Sequence, residues 1–175
     1  MPPSQLASIF EEMSNPDLEA ATNFRRESVE TLKNVNSIFD LIVTVDRKSE
    51  FNEGDYWAQK LENIRLIDID ESDNIALEDQ RVAFLKLRRN DLEGVFTIAK
   101  KLHNGPQHSR ALGLAAIAHF AKDESEAALE DMINAMAGRD DLSWLKKIAE
   151  GYFRRYNRDK LEDFLTLVDE ATQSG

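Results

Sequence analysis

The chain has 175 residues, 42% of them hydrophobic and 31% charged, with a formal net charge of −11 and no cysteine. That length suits one domain, or a small core with an appendage, and can bury a real core without disulfides or metal. The missing cysteines exclude disulfides, thiol catalysis and cysteine-based zinc sites, and the negative charge disfavours nucleic acid and anionic membrane as partners.

Only 7 glycines and 4 prolines interrupt the chain, and the remaining composition favours an all-α fold. The N-terminal residues lack a basic segment followed by an apolar run, so no secretory signal is expected. No apolar run approaches the roughly 18 residues of a membrane span, and with cysteine absent the expected location is cytoplasmic. The charge is uneven. Residues 1–82 carry 18 acids and 8 bases, residues 83–175 carry 15 and 14.

Residues 4–13 predict a short amphipathic helix with Leu6, Ile9, Phe10 and Met13 on one face. Asn15 is expected as an N-cap and Pro16 in the first turn of the next helix. That helix reads as one rod to about residue 46, roughly 45 Å long. Its two apolar stripes, one interrupted by Arg25 and Ser28, would pack against neighbours on two sides or against a second copy, a homodimer through the long first helix. The β-prone run Leu41–Val45 is kept helical because nothing offers it a sheet. Residues 54–67 follow as a helix with Trp57, Leu61, Ile64 and Ile67 inward, and residues 68–74 as an acidic loop. These make an acidic N-terminal segment, 1–73.

From residue 74 onward, helical hairpins recur at a spacing of about 33–35 residues, the range of stacked helix-turn-helix repeats. Helices are expected over 75–89, 91–103, 107–122, 124–137, 141–156 and 158–172. The polar breaks within hairpins fall at Asn90-Asp91, Lys122-Asp123-Glu124 and Asn157-Arg158-Asp159, and Gly105-Pro106 is a stop between hairpins. Small residues in 107–122 (Ala111, Gly113, Ala115, Ala116, Ala118) would let a neighbouring helix approach closely.

In Ala116, Ala128, Met132 and Ala135, small, small, large and small residues sit near a spacing that resembles tetratricopeptide-type repeats. Asp140 stands near the place where that family has a proline between repeats. The resemblance implies three hairpins over 74–175, stacked as a short right-handed superhelix, a tetratricopeptide-like α-solenoid with an N-terminal helical extension, presenting a groove to a peptide or protein. It transfers no ligand-binding residue. The plainer alternative is a generic helical bundle.

Chemistry-bearing constellations are few. Asp68, Asp70, Ser72 and Asn74 occupy calcium-loop positions 1, 3, 5 and 7, but Asp73 stands where glycine makes the sharp turn and Asp79 where a bidentate glutamate is needed, so a solvated loop is the better reading. His108 and His119 lie about 16 Å apart along a helix, too far to share one ion. No nucleophile elbow, zinc-protease or phosphate-loop motif occurs. The expectation is a non-enzymatic chain without catalytic, cofactor or metal sites.

One region is basic: Lys86, Arg88, Arg89, Lys100, Lys101, Arg110 and Lys122 against Asp91 and Glu93. It reads either as a groove for an acidic peptide or as bases answering helix dipoles. Trp144, Tyr152 and Phe153 read as core, Tyr156 as a binding edge. The expected protein-binding residues are therefore Lys86, Arg89, Lys100, Lys101, Arg110, Arg154 and Tyr156, in an adaptor, chaperone or regulator. The competing reading is a small acidic inhibitor, of the immunity-protein type, that neutralises a basic partner or mimics nucleic acid through Asp68, Asp70, Glu71 and Asp73.

Overall fold

The computed structural model describes residues 1–13, 15–32, 34–64, 71–101, 109–136 and 141–174, with the backbone alone at 32, 71–77 and 174. Among these residues there are ten α-helices and no strand. They divide into two compact units, residues 1–65 and 66–175. None of the described helices is long and apolar enough to cross a membrane.

The first unit holds α1 (Pro3–Glu12), α2 (Leu18–Leu32), α3 (Val35–Arg47) and α4 (Phe51–Asn63), each packed on the next. The expected 45 Å rod is two helices. Asn34 is the N-cap of α3, its side chain accepting from the Ser37 N–H at 2.8 Å while Ser37 Oγ faces the Asn34 N–H, a reciprocal capping box. The chain turns there, and the two stripes read from sequence lie within packed helices of one molecule. That removes the physical motive for a dimer built on a long helix. The cap of α2 also differs from expectation. Asp17, not Asn15, accepts the Ala20 N–H, at 3.0 Å. Helix α4 begins three residues earlier than expected, with Gly54 inside it.

Residues Leu41, Ile42, Val43, Thr44 and Val45 are all buried in α3. An apolar run that reads as β-prone is thus a helix covered on every side. The two residues that broke the α2 stripe, Arg25 and Ser28, are buried as well. Arg25 forms a bidentate pair with Glu11, Nη2 to Oε2 at 2.8 Å and Nε to Oε1 at 3.4 Å, with side-chain exposures of only 8% and 3%. The Ser8 hydroxyl at 3.2 Å, Asp40 at 3.5 Å and the Thr44 hydroxyl against Glu11 complete the network. Phe10 and Phe24 stack beside it, ring centroids 5.7 Å apart.

The second unit holds α5 (Glu71–Arg88), α6 (Leu92–Ala99), α7 (Ser109–Ala121), α8 (Ser125–Met136), α9 (Ser143–Tyr156) and α10 (Leu161–Ser174), the last preceded by a 3-10 turn, Arg158–Lys160. Sequence neighbours pair as α5–α6, α7–α8 and α9–α10. Across them α5 packs on α7, α7 on α9 and α8 on α10. Helix α5 starts at Glu71, so the expected acidic loop is helical from that residue on, while Asp68 and Asp70 lie outside the described residues.

The breaks read from sequence fall at the hairpin turns. Asn90 and Asp123 adopt left-handed backbone conformations, φ 59° and 64°. In both turns the next residue's N–H reaches back five residues at 2.9 Å, Asp91 to Lys86 and Glu124 to His119. This is the Schellman closure, with asparagine and aspartate tolerating the left-handed position better than most side chains. Ser49, at φ 62°, closes α3 the same way in the first unit. Two later side chains clamp these turns. The Tyr152 hydroxyl donates to Asn90 Oδ1 at 2.6 Å, and Lys160 Nζ donates to Ala121 O at 2.8 Å and Asp123 Oδ1 at 2.7 Å.

Helix α7 is buried almost throughout, as its small residues suggest. Gly113 has a specific cause: a Cβ there would lie 2.4 Å from Cη2 of Trp144. Phe120, Phe153 and Phe164 join α7, α9 and α10 in a cluster with centroids 5.3–6.0 Å apart.

Candidate functional site

Helix α7 is buried along most of its length and becomes partly exposed at its C-terminal end, from His119 on. Leu112, Ala115, His119 and Lys122 follow one another at three- and four-residue steps, so they line a single stripe. On α6, Glu93, Phe96 and Lys100 do the same. Together with Ala99, Glu124 and Asp131 they enclose a cleft of about 390 Å³, within the size range of ligand pockets. Its floor is apolar. Its rim carries three carboxylates, two ammonium groups and one imidazole.

His119 stands at the centre of the rim. Its Nδ1 is 2.9 Å from Glu124 Oε2, and its Nε2 is 3.5 Å from Asp131 Oδ2. Its ring lies against Phe96, centroids 4.3 Å apart. Lys122 Nζ is 2.6 Å from Glu93 Oε1 and 5.6 Å from the Phe96 centroid. This exposed pair holds α7 to α6 loosely and uses up one of the rim's cations.

Asp131 is the anomaly. Its Oδ2 is buried without a hydrogen bond. The 3.5 Å approach of His119 is an electrostatic contact without hydrogen-bond geometry. Burial, against the pull of His119 and with a smaller push from Glu130, holds the Asp131 carboxyl up at about 6. Buried, under-satisfied carboxylates of this kind concentrate at functional sites.

The three groups do not form a metal centre. The carboxylates approach opposite nitrogens of the His119 ring, so they cannot converge on one ion. Among the described residues no cluster of three or more such groups could hold a metal. His103 and His108 lie outside the described residues.

Of the residues expected to bind a partner, Lys100 lines this cleft, alongside Lys122 and His119 of the same basic region. The others are dispersed. Lys86 faces Asp91 at 3.5 Å. Arg89 and Lys101 are exposed away from the cleft lining. Arg110 lies over the Trp144 ring, 5.1 Å from its centroid. Arg154 keeps a buried Nε without a hydrogen bond, and the Tyr156 hydroxyl donates to the Arg88 carbonyl, tying α9 to α5. The basic region is thus split among local partners rather than gathered into one strip. Of the alternative acidic surface, Asp68 and Asp70 lie outside the described residues, while Glu71 and Asp73 belong to the first turn of α5.

Sequence reasoning passed over Phe96, Glu93, Glu124 and Asp131. The signal was present in α7, whose apolar 112–115 stripe ends in His119 and Lys122 on the same face. Asp131 carries no comparable mark, because its importance arises from burial opposite His119. Compared with family models, with curated proteins and with solved structures, the chain matches none, so the geometry carries the functional reading.

Proposed function

We propose that the second unit is a short, tetratricopeptide-like stack of helical hairpins that binds a segment of another protein, as an adaptor, chaperone or regulator does. The pairing of α5 with α7, α7 with α9 and α8 with α10 supports the stack, because repeats meet through equivalent helices. So does the burial of Ala116, Ala128, Met132 and Ala135, the four positions that carry the resemblance. The single observation that carries the binding reading is the α6–α8 cleft, with its apolar floor and rim of both charge signs. Side chains of an extended segment fill such a space, whereas a whole helix does not.

The test is a selection from a random twelve-residue peptide library displayed against the full chain, counter-selected on Ala99→Trp, which fills the cleft from a half-buried position on α6. Thermal melting shows whether that variant is folded, with Ala99→Leu as the milder alternative. Peptides that bind the wild type and not the filled cleft are the expected result. Enrichment of none, or of peptides that ignore the filling, contradicts the reading.

A further inference from the structure

The bound segment must satisfy chemistry that the free cleft leaves open. The rim holds three carboxylates against two ammonium groups. The Lys122–Glu93 pair removes one of each, leaving Asp131 and Glu124, both beside His119, against Lys100. An anion entering near His119 would meet Glu124 and Asp131. A cation would meet the part of the Asp131 side chain that is exposed at the cleft, 20% of it, beside the Oδ2 that is sealed from solvent near His119. The floor beneath is hydrocarbon and aromatic. An apolar floor ending in carboxylates matches a long side chain with an aliphatic stem and a cationic head.

Resting on the reading of the cleft as a peptide site, we propose that it takes a lysine or arginine side chain of the bound segment. The stem lies over Ala99, Leu112, Ala115 and Phe96, and the head on the carboxylates of Asp131 and Glu124. The partner is a basic segment of another protein, not the acidic one suggested by the basic region of the sequence.

The site is sensitive to pH. The charged and titratable groups that share the cleft with Asp131 are Glu93 on α6, Lys100 just after it, His119 on α7, and Lys122 and Glu124 in the following turn, with Glu130 on its own helix. Acidification neutralises the Asp131 carboxyl, which burial holds above the usual aspartate range, and so weakens the hold on a bound cation. With the carboxyl pushed up to about 6, about one-tenth of it is ionised at pH 5.

The experiment uses the peptides from the selection above, labelled for fluorescence anisotropy. The expected result is a lysine or arginine in every cleft-dependent peptide, and about tenfold weaker binding when that residue is replaced by norleucine. Lowering the pH from 7.5 to 5.0 weakens binding about tenfold. Asp131→Asn causes a comparable loss at pH 7.5 and flattens the pH dependence, while near-isosteric substitution keeps the fold. Cleft-dependent peptides that lack a basic residue, or an Asp131→Asn protein that binds as tightly as wild type, overturn the cation site and leave the peptide cleft standing. A library that yields no cleft-dependent peptide overturns both.

Discussion

The two units bury carboxylates in opposite ways. In the first, Glu11 is nearly sealed from solvent, and Arg25 and the Thr44 hydroxyl meet its oxygens. In the second, Asp131 is partly buried at a cleft, with one oxygen lacking a hydrogen bond and an imidazole near it. A buried charge with its partners in place defines how helices fit together. A buried charge without them raises the free energy of the folded chain, and a ligand that supplies the partner recovers that cost. The contrast distinguishes the Glu11–Arg25 ion pair from the proposed binding group Asp131.

The sharpest way to break the contrast is in the first unit. Arg25→Met leaves Glu11 buried without its guanidinium, and a loss of about 3–5 kcal/mol is expected by urea denaturation. A loss below about 1 kcal/mol would mean that Glu11 is solvated or protonated and that the pair does not organise the unit. Next in size is Gly113→Ala, whose methyl group would overlap the Trp144 ring. It should cost about 1–3 kcal/mol and change the Trp144 fluorescence. Leu in place of Trp144 should recover part of that loss, as coupled neighbours do.

Removing the Asn34 cap with Asn34→Ala should cost about 1 kcal/mol, measured by the same denaturation. No loss would mean that the turn between α2 and α3 is held by packing alone.

The second unit gives an effect of opposite sign. The Asp131 carboxyl is raised by burial, so the folded chain holds this proton more tightly than the unfolded chain does. Its contribution to stability is present below about pH 4 and declines as pH rises through about 6. Asp131→Asn should therefore remove that decline and stabilise the protein at pH 7.5 by about 1 kcal/mol, after discounting for the solvent that still reaches the carboxylate. Destabilisation by the same substitution would place Asp131 with Glu11, as a structural partner.

Much of the second unit was legible in the sequence because its turns are chemically marked. Asn90 and Asp123 are residues that tolerate a left-handed backbone, and each follows an apolar stripe of helical period. The first unit was harder to read. Asn34 and Ser37 form a capping box that lacks the usual glutamate or glutamine at its third position, so α2 and α3 ran together as one rod. Arg25 looked like a break in the stripe because periodicity records hydrophobicity and cannot see that Glu11, fourteen residues away, neutralises it. The cleft was half legible. Lys100, Lys122 and His119 belong to the region that stood out by charge, but charge counting pointed toward an acidic ligand. It could not show that Glu93 ties up Lys122, or that Asp131, from the next helix, faces His119.

The most direct measurement is the titration of the Asp131 side-chain carboxyl by carbon-detected NMR, on the free protein and again with saturating basic peptide. A midpoint near 6 is expected in the free protein, and a fall of about one unit or more when a cation occupies the cleft. A midpoint in the ordinary range of aspartate, unmoved by peptide, would contradict the proposed cation site.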